Sequence, residues 1–541
     1  MAERITGIDV SEEPDAGRGM ARAPTGITAF VGRTLRGPIN RPVLLRGFAD
    51  FERVFGGLWQ PSTLSYAVEQ YFENGGGAAL VVRVANGARA CTLDLPAGSD
   101  RLTLRAIAPG TREYLRAAVD YDGIGENEPH RFNLVVQRVR TPGSEHIEDQ
   151  EIYRRLSVEP GSSRFVVAAL LESQLARVAG DVPALRPDPT LSAGSRQLAA
   201  YVASNPDADD GAPLTDYDII GSAAEGTGLF ALGSADAFNF LCIPPLAREV
   251  DIGPGVLLVA NRYCRDRRAL LVVDPPLAWD TPEAALAGAR DWAFASENAV
   301  MFFPRLLALD KLRGRFESFG ACGAVAGMLS RADGRRPVWA GTTADVAALR
   351  PGMRPLCTVG DGDRSRLAAR GINTLTSMRS AEGILATACT LAGPGAATSE
   401  WRSLARRRLA LFVVSSIERG TRWTLFETNG PALWDRATAQ LRGFLESLEQ
   451  EGAFADRPPG ERWFVICDQR VNRDYERDRG AVNLLFGFAA GKPGHFHSFM
   501  VSHRPGGSRV RPLGLTQQLA EAAHAERLLA DLVQEPLART A

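Results

Sequence analysis

The chain has 541 residues, 45% of them hydrophobic, and a formal net charge of −1 from 62 basic and 63 acidic side chains. That length and apolar content supply several cores, and the charge balance excludes a global field for nucleic acid or an anionic membrane, so partners are recognised locally. The seven cysteines (Cys91, Cys242, Cys264, Cys322, Cys357, Cys389, Cys467) are scattered and lack a C-x-x-C pair, which points to buried thiols in a reducing compartment and away from zinc or disulfides. The opening MAERITGIDVSEEPDAGRG carries charges where a signal peptide needs an apolar core, and no 18-residue apolar run occurs. The expectation is synthesis and assembly in the cytoplasm.

In chain order, residues 1–24 hold one apolar patch, Ile5 to Val10, among Glu, Asp, Gly and Pro. That is an arm, or a strand waiting for a partner. From Thr25, ITAFVGRT reads as a strand and Phe48 to Phe55 as a short helix. LSYAVEQYFENGGG reads as an amphipathic helix with Leu64, Ala67, Val68, Tyr71 and Phe72 on one face, and LVVRV as a strand. The glycines Gly75 to Gly77 stand between helix and strand, the reverse of the strand, Gly-loop, helix order of a nucleotide fingerprint, so they read as a helix C-cap and turn. A β-rich stretch from Arg89 to about Asp210 follows, with strands at TLRA, FNLVVQRV and RFVVAAL and turns at Asp122-Gly123 and Pro142-Gly143.

From Asp216 strands and helices alternate: FNFLCIPP, RALLVVDPP, the helical PEAALAGARDWAFA, then AVMFFPRL. Continuous apolar strands separated by helices indicate a mostly parallel sheet covered on both faces. The last unit begins with the helix Trp401 to Arg419 and continues through a second helix at PALWDRATAQLRGFLESLEQEG and strands at RWFVICD, AVNLLFGFA and HFHSFMVS. Beyond Arg509 the segment TQQLAEAAHAERLLADLVQ reads as an amphipathic helical tail.

The candidate chemistry is weak at each place. GSAAEGTG, Gly221 to Gly228, has P-loop glycine spacing, but Thr227 stands where the phosphate-binding Lys must be. His495, His497 and His503 alternate on one strand without a nearby Cys, Asp or Glu to complete a tetrahedral metal site. Asp274 and Asp468 end apolar strands, as active-site acids do and as turn residues do. No G-x-S-x-G elbow occurs. The reading assigns no catalytic residue, no cofactor and no metal. Arg402, Arg406 and Arg407 form a charged stripe on the Trp401 helix opposite Leu404, Leu409, Phe412 and Val413. Without interleaved aromatics it faces solvent or a protein partner before nucleic acid.

The ordered set of motifs resembles the contractile tail sheath proteins of phages and contractile injection systems. The N-terminal GIDVSEE, the run AFVGRTLRGPINRPVLLRGFADFERVFGG followed by LSYAVEQYFENGGGAALVVRV, and the central GSAAEGTGLFALGSADAFNFLCIPP, RRALLVVDPP, GAVAGMLSRADGRRPVW and GINTLTSMRSAEGILA carry the likeness. So does WRSLARRRLALFVVSSIERGTRWTLFETNGPALW, with Phe464-Val465, Asp468 and Val482-Asn483. One departure is Thr387-Ala-Cys-Thr-Leu391, where the family writes Trp-Gly-Ala-Arg-Thr-Leu. The resemblance implies an α/β and α+β multidomain chain: arm 1–24, N-terminal core 25–88, β-rich protruding domain 89–210, central α/β domain 211–398, C-terminal domain 399–508 and tail 509–541. The central mixed sheet would be doubly covered and subtilisin-like, and the terminal strands exchanged between subunits.

By the same resemblance the chain is a non-enzymatic subunit of a helical sheath of stacked rings. The sheath surrounds an inner tube protein, meets baseplate and terminal cap proteins, and touches neither nucleic acid nor membrane directly. Ile5, Ile8 and Val10 at one end and Phe496, Phe499 and Val501 at the other would serve strand exchange, by β-augmentation. Arg402, Arg406 and Arg407 would face the tube. The alternatives are an α/β hydrolase-like enzyme with an unread site and a baseplate or cap component sharing the C-terminal domain.

Overall fold

The computed structural model describes residues 19–190, 200–340, 349–375, 388–393, 400–454, 462–491 and 496–513. Ile5, Ile8, Val10, His495 and the expected helical tail from residue 514 onward lie outside the described residues. The chain divides into two compact units, Pro24–Leu404 and a second that joins the residues before Pro24 to those from Ala405 onward. Residues 19–23, the described root of the arm, therefore belong to the C-terminal unit and not to the core that follows them in sequence.

The larger unit opens with β1 (Ile27–Gly32), β2 (Val43–Leu45), α1 (Phe48–Phe55), α2 (Thr63–Glu73) and β3 (Ala78–Arg83). α2 ends as its glycines require: Gly75 has φ 93°, the Gly75 and Gly76 amides donate to the Phe72 and Tyr71 carbonyls, both at 3.0 Å, and β3 starts two residues later. These glycines are a C-cap and a turn. α2 departs from the expected one-sided amphipathicity, for every residue from Leu64 to Tyr71 is buried. The polar positions Ser65, Glu69 and Gln70 are covered by other elements of the unit, a tertiary fact that a helical period cannot show.

The β-rich insertion contains β4 (Thr92–Ala97), β5 (Asp100–Ala106), β6 (Leu115–Asp120), β7 (Arg131–Val139), β8 (Ile147–Ser157), the short helix α3 (Val166–Leu170), β9 (Ala176–Val178) and β10 (Val202–Ala203). Two antiparallel sheets, ordered β10-β6-β7-β8 and β4-β5-β9, share one core of Leu95, Leu102, Leu134, Leu156 and their neighbours. RFVVAAL, expected as a strand, is instead the turn of helix α3. Its buried residues Val166 and Leu170 are four apart, which is helical spacing. The chain enters and leaves the insertion side by side: Arg89 and Asp209 exchange backbone hydrogen bonds of 2.8 and 3.1 Å, and Ala212 donates to Asn86 at 2.8 Å.

The chain then runs through α4 (Asp216–Ile220), β11 (Phe240–Cys242), α5 (Pro254–Arg267), β12 (Leu270–Val273), α6 (Pro282–Asp291) and β13 (Ala299–Phe303). The hairpin β14 (Leu306–Asp310) and β15 (Arg315–Phe319) follows, then α7 (Cys322–Asp333), β16 (Met353–Pro355), α8 (Asp361–Ala369) and β17 (Ile372–Thr374). A seven-stranded sheet of order β17-β13-β12-β11-β1-β3-β2 is parallel except for β2. Ala29, Val31, Leu241, Leu271 and Met301 on one face pack with α4, α5, α6 and α8. The opposite face carries Phe30, whose ring meets Tyr71 of α2 at 5.6 Å, and Cys242, whose thiol donates to the Cys322 carbonyl of α7. The sheet is thus mixed and covered on both faces.

α2 and α7 touch backbone to backbone. A Cβ on Gly323 would lie 2.0 Å from the Ala67 carbonyl oxygen, and one on Gly327 2.4 Å from that of Tyr71. Neither helix can yield without displacing the sheet beneath it, so Gly327→Val is expected to lower stability by about 3 kcal/mol or more. Thermal and denaturant unfolding of the full chain check this, and a loss within error of zero would mean that the helices separate freely.

Candidate assembly site

The C-terminal unit is built on α9 (Leu404–Gly420), α10 (Pro431–Gln450), β18 (Trp463–Ile466), the short α11 (Asp474–Asp478), β19 (Val482–Phe488), β20 (His497–Arg504) and β21 (Gly507–Leu513). The four strands form one antiparallel sheet in sequence order. The last strand runs across the expected boundary at 508 into the segment expected to be tail. Its signal was the turn Pro505-Gly506-Gly507, with Gly507 at φ 120°, followed by a short alternating run that pairs with β20 from Ser498 to Arg504.

β20 is therefore an interior strand. Phe499 and Val501 are buried, with Phe499 stacked on Phe486 and Phe488 at 5.8 and 5.9 Å, and both ladders of the strand are filled within the chain. Phe496 precedes it, half-buried against the cluster of Phe464 and Met500. Among the described residues the open edges are those of β18 and β21, and Pro512 withdraws one amide donor from β21. The sheet position of Phe499 and Val501 thus assigns them to the core under an edge, with β21 as the edge itself.

The root of the arm is fixed to this unit. The Ala23 amide donates to the Ser416 hydroxyl of α9 at 3.0 Å, and Met20 is buried so closely on Gly420 that a Cβ there would lie 2.4 Å from its Cγ. Arg22 forms a two-pronged ion pair with Glu451, just beyond α10. Sequence reasoning gave no sign of these anchors, because Met20 and Arg22 sit in a stretch whose composition is that of a linker.

The expected arginine stripe is not one surface. The helix begins at Leu404, so Arg402 lies before it in the other unit, where its guanidinium donates to the Ala368 and Ala369 carbonyls at 2.7 and 2.9 Å and closes the C-terminus of α8. Arg406 and Arg407 are half-buried, and the Arg406 guanidinium packs over Gly491. The segment Ala388–Leu391, where the family spelling is lost, is nonetheless held by isolated β-bridges and backbone hydrogen bonds. Leu391 donates to Ala299 at 2.8 Å, Thr390 to Arg402 at 2.9 Å and Leu404 to Ala388 at 2.9 Å.

The other candidates resolve into structural roles. In the loop Gly221 to Gly228 the Ser222 amide donates to the Thr227 hydroxyl and the Gly228 amide to Asn40, so the amides that would cradle a phosphate are taken. Asp274 accepts from the Ala321 and Cys322 amides at 2.6 and 2.7 Å and caps α7, while Asp468 accepts from Arg470 within its own turn. His503 is fully buried between the Thr421 and Ser508 hydroxyls, each 2.7 Å from a ring nitrogen. None of the seven cysteines is in a disulfide, and burial pushes the Cys91 thiol up to about 11 and that of Cys467 up to about 12. Among the described residues no cluster of three metal-ligating side chains occurs, and no helix is long and apolar enough to cross a membrane.

No family model and no curated protein matches the sequence. Solved structures do. A sheath tail protein from Listeria innocua is similar at 13% identity with a TM-score of 0.57, over 90% of this chain and 97% of that one. The sheath complex of the extracellular contractile injection system PVC, in its contracted state, is similar at 16% identity with a TM-score of 0.51, over 91% and 96%. The chain has the fold of these tail sheath proteins along nine-tenths of its length.

Burial holds the His503 pKa down to about 4 against the ordinary 6.5, with Glu418 opposing the shift and Arg422 adding to it. The folded state therefore keeps the ring neutral. Its contribution is constant above pH 6.5 and falls away as pH drops toward 4, by at most about 3 kcal/mol. Denaturant unfolding of wild type and His503→Gln between pH 7.5 and 4.5 is expected to show a steeper acid loss in the wild type, and equal slopes would contradict this burial effect.

Proposed function

We propose that the chain is the structural subunit of a contractile sheath. It surrounds an inner tube protein, assembles helically in a metastable extended state, and contracts by rigid-body rotation of subunits to drive the tube through a target envelope. Two observations support the reading. The sheath fold along nine-tenths of the chain supports the class. The observation that carries the mechanism is the C-terminal unit, which anchors the root of an arm and offers an open sheet edge at β21. A donor arm and an acceptor edge on one unit let each subunit link to the next through main-chain hydrogen bonds that survive rotation.

In this reading Ile5, Ile8 and Val10 supply the donated strand, and Phe499 and Val501 hold up the sheet whose edge receives it. The central parallel sheet is the subtilisin-like sheath core, the insertion at 89–210 projects outward, and Arg406 and Arg407 remain as tube-facing cations while Arg402 serves its own fold. Baseplate and cap proteins bound the stack. The energy of contraction is then stored in packing and not in a nucleotide, and Asp274 and Asp468 serve as caps and turns.

Removing residues 1–18 while keeping the buried Met20 and the Arg22 pair is expected to leave a folded chain that cannot form long sheaths. The measurement is coexpression with an inner tube protein, followed by electron microscopy. Striated cylinders from the full chain and none from the truncation are expected. Normal cylinders from the truncation would overturn the donated strand, and failure of the full chain to form any ordered array would overturn the sheath reading.

A further inference from the structure

The small sheet β15-β14-β16 is apolar on both faces. Its inner face, with Leu306, Ala308 and Phe319, packs on Tyr66 of α2. Its outer face carries Leu307, Leu309 and Phe316, the last two directly paired across strands at 46% and 57% exposure, with Leu312 exposed at the hairpin turn. An antiparallel sheet with one wet face normally alternates apolar and polar residues, so LLALD has the pattern of a strand covered on both sides. Its rim carries cations: Arg313 and Arg315 at the hairpin end, both paired to Glu317, and Arg354, whose guanidinium lies 5.9 Å over the Phe316 ring.

The complement lies on the same chain. Residues 201–247 carry seven carboxylates and no Lys or Arg, and within that stretch Tyr217 on α4 is 84% exposed, with Leu258 of the neighbouring α5 also exposed. α4 and α5 cover the opposite face of the seven-stranded sheet from α2, which holds the hairpin. The two surfaces therefore cannot meet within one chain.

We propose that the outer face of the β14–β16 sheet docks the acidic, Tyr217-bearing surface of a second copy of this chain. This deepens the sheath reading and rests on it. The contact is head-to-tail, so repeating it extends an array without closing it, and the exposed aromatic and the cation-rimmed apolar face complement each other in charge and in hydrophobicity.

The test uses the full-length chain with Phe316→Cys and Tyr217→Cys together, oxidised by copper phenanthroline under air so that two thiols become one disulfide and oxygen takes the electrons and protons. A ladder of covalently linked copies is expected from the double variant and not from either single variant or the wild type. In parallel, Phe316→Asp and, as a second probe of an exposed position, Leu309→Ser should weaken self-association by about tenfold in sedimentation, with unchanged circular dichroism, and raised salt should weaken the wild type. Absence of the ladder, with both variants forming normal cylinders on the tube protein, overturns this contact and leaves the sheath reading standing. A wild-type chain that remains monomeric with and without the tube protein overturns both.

Discussion

The close approach of α2 and α7 is the constraint on which the larger unit depends. Gly323 and Gly327 leave room for the Ala67 and Tyr71 carbonyls, and the two helices then act as one slab across the sheet. From that slab the rest is tied down. The Tyr71 hydroxyl donates to the Ala78 carbonyl at 2.7 Å at the start of β3 and lies 3.1 Å from that of Gly26, just before β1. The Tyr66 hydroxyl donates to Asp310 of the hairpin at 3.0 Å, and Asn74 accepts from Arg331 of α7 through its carbonyl and from the Arg350 amide through its side chain. A helix buried all round needs partners for its own polar groups, and α2 finds most of them with its tyrosines, Asn74 and the Glu69 pair to Lys311, while the buried Gln70 side-chain oxygen has none.

The insertion is tied to the β1–β2 loop and to the end of β3 by polar contacts. Arg36 and Glu148 form an ion pair 2.6 Å long with little exposure, and Arg83 donates to the Gly37 and Pro109 carbonyls, both at 2.7 Å. A buried pair of this kind contributes little net stability after desolvation, but it penalises any orientation in which either charge loses its partner. Together with the zipped strands at Arg89 and Asp209, it fixes how a separately cored β domain stands on the α/β body.

In the C-terminal unit the same role falls to asparagines. Asn472 and Asn483 exchange side-chain and main-chain hydrogen bonds of 2.7 to 2.9 Å, so a turn residue completes the ladder position of β19. This stiffens the sheet from within and leaves its outer strands as the places where further pairing can occur. In the proposed sheath, where subunits rotate without losing their neighbours, rigid sheets joined by extended arms would be the simplest mechanical solution, because main-chain bonds at an edge depend weakly on side-chain packing elsewhere.

Local sequence determined the elements wherever one period or one turn residue was sufficient. The helix Phe48–Phe55, the C-cap glycines after α2, the apolar strands of the parallel sheet and the alternation of β20 all followed from side-chain spacing and backbone freedom. The order of motifs also carried the sheath likeness that the fold displays. Tertiary structure alone decided that α2 is buried all round, that VVAAL coils into α3, that β21 turns β20 into an interior strand, and that Arg402 caps α8 instead of joining Arg406. The physical reason is common to all four. Each depends on which distant backbone supplies a hydrogen-bond partner or removes water from a side chain, and contacts across tens or hundreds of residues leave no period in the local sequence.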